Sequence, residues 1–128
     1  MIGLTFDHFA MSATPEKWDK MSGFYREVVD AQVIDRGGGR FAFRWGTNQI
    51  MVLVGVATII PTGAPILPGA VDMCFVWPGP IEDAVAHLSR HGILVVAGPA
   101  QRSGAGGNGQ SVHFNDPEGN LLEFISYR

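Results

Sequence analysis

The sequence predicts an α+β fold built from two βαβββ modules. Their eight strands are expected to form one curved mixed sheet with the helices on its outer face. Three observations carry this. The same order of strand and helix signals is read twice, in 1–56 and in 70–128. A proline- and glycine-rich stretch, about 57–69, separates the two readings as a linker. Neither half is large enough to bury its apolar faces alone, so a single domain over 1–128 is expected.

The elements follow in order. Leu4 to Ala10 reads as a strand. Thr14-Pro15 opens a helix, with threonine as N-cap and proline at the first helical position. Trp18, Met21, Tyr25, Val28 and Val29 recur at helical spacing and give it one apolar face. A strand near Ala31 to Arg36 follows. Gly37-Gly38-Gly39 turns the chain into Arg40 to Gly46, where Phe41, Phe43 and Trp45 alternate. Gln49 to Val56 is the fourth strand. In the second half, Val71 to Trp77 is a strand, and Ile81, Ala84, Val85 and Leu88 mark a helix that Gly92 stops. Ile93 to Ala97 reads as a strand and Ser103 to Gly109 as a glycine-rich loop. Ser111 to Asn115 and Leu121 to Tyr127 form a hairpin around Asp116-Pro117-Glu118-Gly119.

Composition narrows the function. Apolar residues make up 46% and charged residues 16% of the 128-residue chain, a globular balance. A net charge of −3 gives no basic footprint for nucleic acid. No apolar run reaches membrane-spanning length, and no secretory leader is read, so no membrane partner is expected. The single Cys74 forms no internal disulfide, which fits the cytoplasm.

Some polar residues sit where apolar ones belong. Glu123 lies inside Leu121-Leu122-Glu123-Phe124-Ile125, and a buried carboxylate is costly unless paired, protonated or bound to a cation. Strand alternation puts Glu123 with Leu121 and Ile125, and His113 with Ser111 and Asn115. The hairpin can bring His113 and Glu123 to one face. His8 and Asp72 stand at equivalent places near the start of each module's first strand. Packed about a pseudo-twofold axis, His8, Asp72 and Glu123 would converge on a divalent cation: Mn, Fe(II), Ni or Zn. Structural roles compete with this: a core histidine at His8, a turn carboxylate at Asp72, a neutral hydrogen-bonded acid at Glu123. His113 is a candidate acid or base, or a histidine on a solvated face.

Asp7-His8, Gly23-Phe24-Tyr25 and the run Asn115-Asp116-Pro117-Glu118-Gly119-Asn120-Leu121-Leu122-Glu123 resemble the glyoxalase / bleomycin-resistance / dioxygenase (vicinal oxygen chelate) superfamily. Asp72-Met73-Cys74-Phe75 and Arg102-Ser103-Gly104-Ala105 are similar to its small bacterial glyoxalase-like members. The resemblance implies a metal-dependent lyase, isomerase or dioxygenase acting on a small oxygenated substrate. By position it places ligands at His8, Asp72, Glu123 and Met51 or its neighbours. Where the fourth strand should offer a glutamate there is Met51, with Gln49 nearby, a departure from lactoylglutathione lyases. Asp72 stands where histidine is usual, a departure from dioxygenases.

Arg44 and Arg102 are candidate substrate ligands for a carboxylate or phosphate, with Phe43 and Met51 beside them. The alternative is a metal-free drug- or ligand-binding protein in which Phe6, Phe41, Phe43, Trp45 and Trp77 hold the ligand. A homodimer is expected in either case. Gly104 to Gly109 satisfies G-x-G-x-x-G literally but opens no helix, so a mobile lid is expected there and no dinucleotide site. Cys74 is expected to be a buried, inert thiol.

Overall fold

A computed structural model describes residues 2–55 and 65–128. It divides into two compact units, Met1–Gly69 and Ala70–Arg128. Each has the order strand, helix, three strands. The expected modules are present, and their strands hydrogen-bond as two four-stranded mixed sheets, one per unit. Most of the expected linker lies outside the described residues. Among the described residues no helix is long and apolar enough to cross a membrane.

Unit 1 contains β1 (His8–Ala13), α1 (Trp18–Glu27), β2 (Gln32–Gly37), β3 (Arg40–Trp45) and β4 (Asn48–Val54), with sheet order β1-β4-β3-β2. Thr14 is extended, and Pro15 begins a single 3-10 turn that leads into α1. Proline suits this place because its φ is preset and its missing N–H would have had no helical partner. β1 begins at His8 and not Leu4, because its parallel partner β4 offers Gln49 opposite His8.

α1 covers the sheet face that carries Phe41 and Phe43. Tyr25 stacks on Phe43 at 4.1 Å and 11°, and Trp18 lies over Phe41 and Phe43 at 4.3 and 5.6 Å. The Trp45 indole N–H donates to the Val29 carbonyl at 2.6 Å. Each such ring withdraws enough apolar surface to contribute on the order of 2 kcal/mol. The substrate role expected of Phe43 is therefore corrected: it is 0% exposed, sealed beneath α1. Alternation placed Phe41, Phe43 and Trp45 on one face, and that face received the helix.

Unit 2 contains β5 (Asp72–Val76), α2 (Ile81–Arg90), β6 (Ala97–Gly104), β7 (Gly107–Asn115) and β8 (Leu121–Ser126), with sheet order β5-β8-β7-β6. Ile81, Ala84 and Leu88 are buried where α2 meets β7 and β8. Gly92, at φ +68°, ends the helix: its N–H donates to Ser89 and that of Ile93 to Leu88. That pair of bonds satisfies carbonyls the helix leaves open, and the φ sign selects glycine. Trp77 packs on Phe124 at 5.1 Å and on His87 at 5.3 Å, on the helix side as well.

Two readings of unit 2 are corrected. Ile93 to Val96 form no strand; Leu94 is 78% exposed, and the strand is Ala97–Gly104. The glycine-rich stretch is no lid. It is the end of β6, a two-residue turn and the start of β7. A Cβ on Gly106 would lie 2.9 Å from the Tyr127 ring, and one on Gly109 would lie 2.6 Å from the Ser126 carbonyl. The Gly106 N–H donates to the Tyr127 hydroxyl at 3.0 Å. These glycines serve close packing, not motion.

Candidate functional site

The site begins in a turn. Between β7 and β8, the buried Asp116 carboxylate accepts from the backbone N–H of Glu118 (2.9 Å) and Asn120 (3.0 Å) and from the Asn120 amide (2.7 Å). Pro117 presets the turn, and Gly119 takes φ +90°. The Asn120 side-chain oxygen then accepts from the Val71 N–H at 2.9 Å, and Leu121 N–H donates to the Val71 carbonyl. The turn thus clamps the start of β5 to the start of β8. Both pairings of β8 follow from this anchor.

In the resulting register Cys74, Glu123 and His113 form one row across β5, β8 and β7. Leu122 and Phe124 point to the helix side, so Glu123 faces the open side of the sheet. The His113 Nε2 lies 3.2 Å from Glu123 Oε1, and each side chain is 16% exposed. A carboxylate only accepts, so the ring nitrogen facing it, Nε2, carries a proton, and Nδ1 is the nitrogen turned away from the carboxylate.

Cys74 stands on the other flank. The residue is exposed along the edge of the sheet, yet its sulfur lies against Glu123. Burial, then the Glu123 charge and hydrogen bond, then the Asp72 charge push its pKa from 9.0 up to about 12. The thiol stays neutral and donates to the Phe75 carbonyl at 3.8 Å, and the burial expected of it is corrected, since the residue is exposed. Asp72 lies two residues earlier on the same side of β5 and is exposed. Arg102 pairs with Gly109, which puts it on the His113 side of β7. Two residues from His113, the Ser111 hydroxyl is buried with no hydrogen-bond partner among the described residues. Nothing in the residue pattern singled out Ser111, since a serine in a strand is unremarked until its burial is known.

In unit 1 the open face carries His8, Gln49 and Arg44 in one row and Ala10, Met51 and Ala42 in the next. His8 is exposed, and its Nδ1 meets the Asp7 carboxylate at 2.5 Å. Arg36 donates to the Gln49 side chain at 3.3 Å, and the Arg44 Nε–H to the Gly46 carbonyl at 2.8 Å. Met51 is half-buried between two alanines.

The expected metal ligands are thus divided, with His8 in unit 1 and Asp72 and Glu123 in unit 2. Among the described residues no three His, Cys, Asp or Glu side chains gather closely enough to hold an ion. The donors fit a divalent cation in kind: carboxylates, and an imidazole whose Nδ1 is held by a carboxylate, as is usual for ligating histidines.

Comparison with known proteins agrees with the motif. The chain is 36% identical over 124 residues to the glyoxalase domain-containing protein RDO1 of Mycosarcoma maydis, covering 97% of this chain and 69% of that one. It is 34% identical over 104 residues to the virulence protein STM3117 of Salmonella typhimurium, covering 81% of this chain and 72% of that one. The crystal structure of STM3117 superposes with a TM-score of 0.88 over 100% of both chains, at 30% identity. A likeness of fold alone extends to the fosfomycin resistance protein FosX of Listeria monocytogenes. A point mutant of FosX, solved with Mn(II) and 1S,2S-dihydroxypropylphosphonic acid, gives a TM-score of 0.64 at 16% identity over 98% of this chain and 90% of that one. The family model of the Glyoxalase/Bleomycin resistance protein/Dioxygenase superfamily matches residues 5–124, and the chain belongs to that superfamily.

Proposed function

We propose that the chain is a divalent-metal-dependent enzyme of this superfamily, a lyase, isomerase or dioxygenase acting on a small oxygenated substrate. His8, Asp72 and Glu123 are its ligands, and Mn, Fe(II), Ni or Zn its metal. The observation that carries the reading is the His113–Glu123 pair at 3.2 Å on the open face of unit 2. A proton-carrying ring bonded to a carboxylate, inside an apolar strand, needs a reason beyond stability.

The bound ion would act as a Lewis acid on a substrate oxygen. The chain supplies the rest. Glu123 orients His113, whose Nδ1 takes or returns the substrate proton. Arg44 and Arg102 hold an anionic group of the substrate, in keeping with the phosphonic acid bound by FosX. Met51 offers apolar contact. It stands where a second carboxylate would be needed for lactoylglutathione lyase chemistry, so proton transfer falls to His113. The reading also has the protein working in the cytoplasm as a homodimer.

The test is metal analysis of protein purified without chelator and after addition of Mn, Fe(II), Ni or Zn. One equivalent that Glu123→Ala abolishes supports the reading. No stoichiometric metal in either preparation would sink it. A second reading, a metal-free binder of a small ligand, is favoured by Phe6, one of the aromatic residues expected to hold it, which is 64% exposed. Saturable quenching of tryptophan fluorescence by peptide antibiotics, unchanged in Glu123→Ala, would support that reading instead.

A further inference from the structure

α2 carries His87 and His91 one turn apart, and residues four apart share a helix side. α2 packs on the β7–β8 face that holds Phe114 and Phe124, whereas Glu123 and His113 alternate to the opposite face. The two rings therefore stand away from the site described above.

Their centroids are 4.6 Å apart with planes at 57°. Two imidazoles bound side by side to one ion at about 2.0–2.1 Å hold their centroids roughly 4.5–5.2 Å apart for bond angles of about 90–110°. The observed separation falls in that range. The His91 Nδ1 lies 3.0 Å from the His87 carbonyl. A carbonyl only accepts, so Nδ1 carries a proton and Nε2 is the nitrogen left to ligate. Ligating histidines are commonly oriented in this way, through the other ring nitrogen. The pair sits in the last turn and C-cap of α2, where the helix dipole favours positive charge. His87 is also held by Trp77 at 5.3 Å and Phe124 at 6.4 Å, which lowers the entropy lost on binding.

We propose that His87 and His91 form a two-histidine site for a borderline divalent cation, Zn²⁺, Ni²⁺ or Cu²⁺, with water completing its coordination. Imidazole nitrogen suits these ions over Mg²⁺ or Ca²⁺.

The test is titration of the full chain with Ni²⁺, followed by calorimetry and by tryptophan fluorescence. A saturable site that quenches tryptophan fluorescence is expected, separate from any Ni²⁺ held at Glu123, with quenching that Trp77→Phe removes while its heat remains. His91→Gln, at an exposed C-cap position, should weaken that site about tenfold or more. Glu123→Ala should leave it unchanged. Urea unfolding in chelator checks that His91→Gln keeps its fold. Unaltered Ni²⁺ affinity in His91→Gln overturns the proposal. So does loss of the quenching site itself in Glu123→Ala, since that would place it on the sheet face.

Discussion

The two halves share one scaffold and differ in what they put on it. In both, the first strand runs parallel to the last and a helix covers one face. Yet the central row of the open face is Ala10–Met51–Ala42 in unit 1 and Cys74–Glu123–His113 in unit 2. The turns differ in the same sense. β3 and β4 are joined by the two residues Gly46 and Thr47, with φ +58° at Gly46. β7 and β8 are joined by a longer turn built on the buried Asp116. The pairing of strands is thus indifferent to the chemistry it carries. Unit 2 combines a proton-carrying pair with a turn that fixes its register, while unit 1 offers cations and an apolar floor.

The largest test of this contrast is catalytic. In a turnover assay of the metal-loaded protein, His113→Gln should slow proton transfer about 10²–10⁴-fold with metal content unchanged. Met51→Leu, on the other open face, should slow it less than about tenfold, since it alters only apolar contact. Equal losses would erase the division of labour.

The turns give the next effect. Asp116→Ala strands buried N–H donors and should lower stability by about 3 kcal/mol in urea unfolding. Thr47→Ala, in an exposed turn, should stay within about 0.5 kcal/mol. Gly109→Ala must displace the Ser126 carbonyl and should cost about 1–3 kcal/mol.

The smallest effect concerns Cys74. Its folded pKa is raised from 9.0 to about 12, so its contribution to stability is complete below about pH 9 and is lost as pH rises toward 12. Cys74→Ala should flatten that alkaline loss in pH-dependent unfolding. In metal-free protein, Glu123→Gln removes a negative neighbour, lowers the thiol pKa and should speed alkylation by iodoacetamide at about pH 9. Unchanged alkylation would mean that Glu123 does not hold the thiol.

Much of this was legible in the residues. The Asp116–Glu123 run announced both the turn and the strand, and alternation placed His113 and Glu123 on one face. Other signals were ambiguous because one residue type serves opposed ends. Glycine density at 103–109 is the same whether backbone must move or another chain segment must approach, and the Tyr127 ring decided for approach. Leu94 and Val96 are apolar yet 78% and 48% exposed, so hydropathy misplaced the start of β6. Alternation grouped Phe41, Phe43 and Trp45 but could not tell a ligand-facing side from a helix-facing one.

Residue order was enough to set the succession of elements, the turn at Pro15 that leads into α1, the stop of α2 at Gly92, the β7–β8 turn and the face shared by His113 and Glu123. These are local matters of φ, capping and period-two geometry. Long-range packing settled which face each helix seals and that Cys74 flanks Glu123. The Val71–Asn120 bond behind that second pairing spans 49 residues. Parallel strands meet only through a crossover, and no local pattern specifies their register.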